Sequence, residues 1–282
     1  MAWRSALLVA LALAVGSCGG GEDEEAPKTT ASSSETRVVD ARVDGRIITG
    51  HCSGKESEQP AVVLESGADG DQNQLVALEQ ALAKETVVCA YSRAGLGGSE
   101  DPPKRPRSTA DVVADLDGFM AATKVDPPYL LVGHSAGATY VYLYAQAYPE
   151  KVAGFVSMNP VPPYRTWIRE ARKVETKQEL EELELSFYRG ETGEPTDFRD
   201  TERMLTDPIP PDIPYVVMFD EDCEGDTGFC RRILPPLTRV TASLAKVGDG
   251  GRFVRAKGAG HNIYGTDPPL VLKTIAEVRE AG

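Results

Sequence analysis

The sequence predicts an α/β chain in which a mostly parallel central sheet is flanked by helices and carries a small helical cap. Three observations predict it. Short apolar runs alternate along the chain with segments of helical period, as strands buried between two layers of helices do. The runs at 61–64 and 129–132 are apolar throughout, which suits strands covered on both faces. At about 160–211 the alternation breaks, and charged helical stripes bounded by prolines take its place.

Before the domain comes a leader. Arg4, the apolar residues 6–15 and the small Gly16 and Ser17 before Cys18 have the layout of an export signal, too short to span a bilayer. Val15-Gly16-Ser17-Cys18 resembles a bacterial lipobox, which implies cleavage after residue 17 and a diacylglyceryl group on Cys18. The chain is then expected to be an exported, membrane-anchored lipoprotein that touches the membrane only through that lipid. Ordinary secretion is the alternative. Residues 18–36, rich in glycine, serine and acid, are expected to be a disordered tether, with the folded domain over 37–282.

Within the domain, strands are expected at 38–43 and 46–52 around Asp44-Gly45, then at 61–64, 86–91, 129–132, 152–157, 215–219 and 252–256. Helices are expected at Leu75, Leu78 and Leu82, at 109–124 with its stripe from Val112 to Met120, at 136–148, near 237–247, and from Pro268-Pro269 onward. In the cap, Tyr164, Trp167, Ile168 and Ala171 make one stripe. Thr176 and Glu179 make a capping box ahead of Leu180, Leu183 and Phe187, with Gly190 as the stop.

Composition excludes several classes of function. A formal charge of −13 over 282 residues repels phosphate backbones, so no nucleic-acid partner is expected. Three histidines and no Cys-x-x-Cys pair leave zinc almost no ligands, and no metal or other cofactor is expected. Asp220, Asp222, Glu224 and Gly225 imitate the start of a calcium loop, but Arg231 stands where its last glutamate is required. Gly95-Leu96-Gly97-Gly98 begins like a dinucleotide loop, yet Glu100 and the prolines after it replace the glycine and helix that would hold a pyrophosphate. Of the five cysteines, four lie in the domain. Export favours disulfides, expected as Cys52 with Cys89 on neighbouring strands and Cys223 with Cys230 across one short loop.

Gly133-His134-Ser135-Ala136-Gly137 matches Gly-x-Ser-x-Gly where an apolar strand meets a helix. Such a turn strains the serine backbone, needs small residues on either side, and aims a helix N-terminus at the serine oxygen. Ser135 is therefore the candidate nucleophile. A serine needs a base, and His261, in the glycine-rich loop between the last strand and the last helix, is the candidate. His134 is locked inside the turn, and His51 lies on an early strand. The third member should be a carboxylate after the 215–219 strand: Asp222 is preferred, with Asp220 as the alternative.

With these residues the chain resembles the α/β-hydrolase superfamily over nearly all of 38–282. The resemblance implies an oxyanion hole made by the backbone amides of Ala68, in the Ser66-Gly67-Ala68 loop, and Ala136. Ser66 stands where many members have histidine, and Ser92 replaces a common aspartate in the loop after the 86–91 strand. It also implies a serine hydrolase acting on a small-molecule carboxylic ester through a covalent acyl-enzyme. An aminopeptidase-like peptidase of the same fold is one alternative, and a non-catalytic ligand-binding lipoprotein is another. Tyr164 and Trp167 are expected either to line the acyl pocket or simply to pack.

Overall fold

Asp44 and Gly45 both take positive φ, 46° and 81°, and so close the hairpin of β1 (Arg37–Val43) and β2 (Arg46–Ser53). In the computed structural model, residues 36–188, 194, 196–222 and 228–282 are described. The leader, Cys18 and the tether, apart from Thr36, lie outside them, as do Gly190 and the side chains of Leu183 and Phe187.

After the hairpin come β3 (Val62–Glu65), β4 (Val88–Tyr91), β5 (Tyr129–His134), β6 (Val152–Met158), β7 (Tyr215–Phe219) and β8 (Gly251–Arg255). They form one eight-stranded sheet in the order β1-β2-β4-β3-β5-β6-β7-β8. β2 runs antiparallel to β1 and β4, and every other pairing is parallel. Because successive side chains point to opposite faces, each buried strand feeds two cores. Val63, Leu131, Phe155 and Val217 pack with one set of helices, α2 (Thr109–Thr123), α3 (Ala136–Ala147) and α7 (Gly228–Leu244). Val62, Val132, Val156 and Val216 pack on the other face with α1 (Val76–Leu82), α8 (Ile263–Thr266) and α9 (Pro268–Ala281).

Three helices, α2, α5 (Lys177–Leu183) and α9, start at side-chain caps. Ser108 and Asp111 form a reciprocal capping box on α2, and Asp267 caps α9 ahead of its two prolines. α7 departs from expectation, beginning at Gly228 and running through Pro235 and Pro236. Proline inside a helix forfeits a hydrogen bond, which is why the sequence points to a start after the pair. Burial of Ile233, Val240 and Leu244 in the core offsets that loss.

Between β6 and β7 lie α4 (Tyr164–Ala171), α5 (Lys177–Leu183) and α6 (Arg203–Thr206). α5 starts at the expected Thr176–Glu179 capping box. Trp167, Ile168 and Ala171 are buried, and Tyr164 meets Tyr188 edge-on, so the α4 stripe packs. Thr196–Asp197 pairs in parallel with Arg107–Ser108, holding the cap to the domain.

Cys52 and Cys89 are direct partners across β2 and β4 and form a disulfide, with Cα atoms 4.1 Å apart. Cys230 is also disulfide-bonded, while its expected partner Cys223 lies outside the described residues. Among the described residues no helix is long and apolar enough to cross a membrane.

Candidate active site

Ser135 joins β5 to α3 with φ 54° and ψ −117°, a conformation costly for any residue with a Cβ. The turn is tight. A Cβ at Gly133 would sit 2.3 Å from the Gly137 carbonyl oxygen, and one at Gly137 would sit 2.2 Å from that of Glu65. Both positions therefore need glycine, which is the steric content of the sequence pattern. The Ser135 amide donates to the Met158 carbonyl at the end of β6 (2.8 Å), fixing the turn to the sheet.

The loop after β3 lies beside this turn, since a Cβ on Gly67 would come within 3.4 Å of the Ser135 Cβ. The Gly67 amide donates to Gln74 Oε1 (2.6 Å) and Ser66 Oγ donates to the Asp71 carbonyl (2.7 Å). Among the described residues no hydrogen bond engages the amide of Ala68 or of Ala136. Ser92, in place of the usual aspartate, bonds Gln72 of the same loop.

His261 follows β8 in a loop where Gly258 and Gly260 adopt φ 73° and 64°. Its main-chain carbonyl is held twice, by Asn159 Nδ2 and by His134 Nε2, each at 2.9 Å. Since a carbonyl only accepts, His134 carries its proton on Nε2. Burial pushes the His134 pKa down to about 4, so the ring is neutral near pH 7. Its ring also lies 4.8 Å from that of His261.

Asp220 and Asp222 do different things. Asp220 is buried at the end of β7, where its amide donates to Asn159 Oδ1 (2.9 Å) and its Oδ1 accepts from the Asp222 amide (3.2 Å). Asp222 is exposed and reaches across to the histidine loop, where its Oδ2 accepts from the Gly258 amide. Ser135, His261, Asp220 and Asp222 all border one cavity of about 430 Å³. Its apolar wall comes from Val161, Phe219 and the Ile233, Leu234 and Leu237 face of α7; Tyr164 and Trp167 do not border it. A larger hollow of about 830 Å³ beside Thr36 and Cys52 contains neither Ser135 nor His261. Among the described residues no group of three His, Cys, Asp or Glu side chains is placed to hold a metal.

Parallel strands carried in this order, a strained serine between the fifth strand and its helix, and a histidine after the eighth define a known architecture. The alpha/beta hydrolase fold family profile matches residues 60–184. The chain has the α/β-hydrolase fold. Its fold is similar to that of proline iminopeptidase from Mycobacterium smegmatis, with a TM-score of 0.64 at 15% identity over 88% of this chain and 99% of that one. Among curated relatives, this chain is 33% identical over 107 residues to the uncharacterized protein YqjL of Bacillus subtilis strain 168, covering 38% of this chain and 42% of that protein. It is 31% identical over 103 residues to the putative carbamate hydrolase RutD of Escherichia coli O1:K1, covering 36% of this chain and 38% of RutD. The matches thus span less than half of either relative.

Three contributors to this candidate site escape the sequence: Asn159, His134 and the α7 face. Asn159 stands directly after a strand, where the fold offers an alternative acid position. The α7 face shows the spacing of Ile233, Leu234 and Leu237, but Pro235-Pro236 interrupts it.

Proposed function

We propose that the chain is a serine hydrolase that cleaves a carboxylic ester through a covalent acyl-enzyme on Ser135. The observation that supports it is a nucleophile strained clear of the sheet that shares one cavity with His261 and Asp222. His261 takes the Ser135 hydroxyl proton as Oγ bonds to the acyl carbon. The amides of Ala68 and Ala136 stabilise the oxyanion, and the proton passes to the departing alkoxide as the acyl–oxygen bond breaks. Water, activated by the same imidazole, then hydrolyses the acyl-enzyme and restores Ser135. Asp222 orients the imidazole and stabilises its cation. The apolar wall favours a small ester with an apolar acyl or alcohol group.

A fluorophosphonate probe should label Ser135, and Ser135→Ala should abolish both labelling and turnover of nitrophenyl esters. Aminoacyl anilides and a nitrophenyl carbamate in the same panel separate the peptidase and carbamate alternatives, since turnover of these with silence on esters replaces the ester assignment. Silence on all substrates with no labelling favours a ligand-binding lipoprotein.

We propose too that the protein is exported and lipidated at Cys18, a reading to which a disulfide between Cys52 and Cys89 is suited. Protein made with its own leader should enter the detergent phase, and Cys18→Ala should leave it in the aqueous phase.

A further inference from the structure

A guanidinium lies behind the oxyanion loop with no exposure to solvent. Arg93, two residues after β4, is 0% exposed, and so is the Glu65 carboxylate at the end of β3. Every N–H of the guanidinium is used. Nε donates to Glu194 Oε1 (2.8 Å), and Nη1 donates to Glu65 Oε1 and to the Ser66 carbonyl (both 2.7 Å). Nη2 donates to the Gly67 carbonyl (2.6 Å) and to Glu194 Oε2 (2.5 Å). Tyr140 of α3 covers the group, with its ring centroid 5.3 Å from Cζ. Burial pushes the Glu65 carboxyl up to about 7 against the opposing pull of the Arg93 cation.

A structural ion pair needs only the two carboxylates. Here the remaining donors go to two successive carbonyls of one loop, and the consequence follows from peptide planarity. A trans peptide directs its C=O and N–H to opposite sides, so fixing one fixes the other. The Ser66–Gly67 unit is held at both ends, its carbonyl by Arg93 Nη1 and its N–H by Gln74 Oε1. In the Gly67–Ala68 unit the carbonyl is held by Arg93 Nη2, which aims the Ala68 N–H away from Arg93. The cation also polarises that peptide and makes its N–H a better donor.

We propose that Arg93 is a positioning residue for the oxyanion hole and that Glu194, contributed by the cap, locks it in place, so the seating of the cap sets the aim of the Ala68 amide. This rests on the serine-hydrolase reading above. Substrate chemistry is thereby tied to a segment that does not carry Ser135, His261 or Asp222. The cap acts through Glu194, Arg93 and the Gly67 carbonyl as one chain of contacts.

The test uses the full chain with Arg93→Lys, which keeps the positive charge but loses the planar fork, and Glu194→Gln, which keeps the shape of the lock but not its charge. Four quantities are read: kcat, KM, the inhibition constant of a trifluoromethyl ketone whose adduct places an oxyanion on the amides, and that of the matching alcohol, which forms no adduct. Arg93→Lys should lower kcat about 10- to 100-fold with KM within about twofold, and should weaken the ketone in parallel while sparing the alcohol. Glu194→Gln should shift the same quantities in the same direction by less, and it decides the matter alone if Arg93→Lys does not fold. A folded variant with wild-type kcat and ketone affinity, or one losing ketone and alcohol equally, overturns the proposal. Wild-type protein that takes up no fluorophosphonate and turns over no acyl substrate removes the hydrolase reading instead, and this proposal with it.

Discussion

The side chain of Asn159 is hydrogen-bonded to the main-chain carbonyl of His261, and through its other atom it holds the Asp220 amide, each at 2.9 Å. One amide group thus couples the loop that carries His261 to the loop that carries Asp220 and Asp222. Asn159 itself sits at φ 51°, a conformation asparagine tolerates better than most residues.

Asn159→Ala should leave the Asp220 amide without its partner and the His261 carbonyl on His134 alone, and cost about 1–3 kcal/mol of stability. It should also lower kcat about tenfold or more as the His261 loop loses its anchor. Urea unfolding and steady-state kinetics on the same preparation check both. Unchanged kcat would show that His134 alone suffices to hold the carbonyl.

On the proposed triad, Asp222→Asn should reduce kcat by roughly 10³–10⁴ while the protein stays folded, since an asparagine would hold the imidazole in the wrong tautomer. Asp220→Asn should weaken the turn that presents Asp222, showing mainly as a lower melting temperature. The two are compared by turnover after circular dichroism. A large loss confined to the Asp220 variant would transfer the role to that residue.

His134 predicts a pH signature of defined sign. Burial holds its folded pKa at about 4, below the ordinary value of 6.5, so the unfolded chain binds the proton first as pH falls. The stability that wild type owes to a neutral His134 is complete above pH 6.5 and is lost as pH drops toward 4, by up to about 3 kcal/mol. Urea unfolding of wild type and His134→Gln at several pH values across this window checks it. The difference between the two proteins should change in favour of the variant as the solution is acidified.

The Cys52–Cys89 bond closes a separation of 37 residues. Replacing both cysteines by alanine should cost about 3–4 kcal/mol, seen as a lower melting temperature in non-reducing buffer. The bond pins β2 to β4, whereas Ser135 follows β5, so kcat per folded molecule should be unchanged. A matching fall in kcat would indicate that the hairpin steadies the site.

What could be read from the sequence was local. The demand for glycine at 133 and 137 arises within one turn, so a five-residue pattern reports it, and the succession of strands and helices along the chain follows from the alternation of apolar runs with helical stripes. Asn159 and Arg93 act on partners far along the chain: His261 is 102 residues from Asn159, and Glu194 is 101 residues from Arg93. No periodicity encodes such contacts. The start of α7 was hidden for another reason, a local proline rule outweighed by burial against the core.

The cap leaves the sheet after β6 and returns at β7, and these strands are direct neighbours, with Phe155 opposite Tyr215. The excursion therefore opens and closes at a single seam, and the ladder on either side is complete without it. Such a seam is a graft point, where lineages or engineers can exchange what hangs above the cavity, and so which molecules are admitted, while the barrier-lowering groups stay on an inherited scaffold. The exchange has one compatibility requirement: a transplanted segment must deliver a carboxylate to Arg93, or the graft will fold and bind yet turn over slowly.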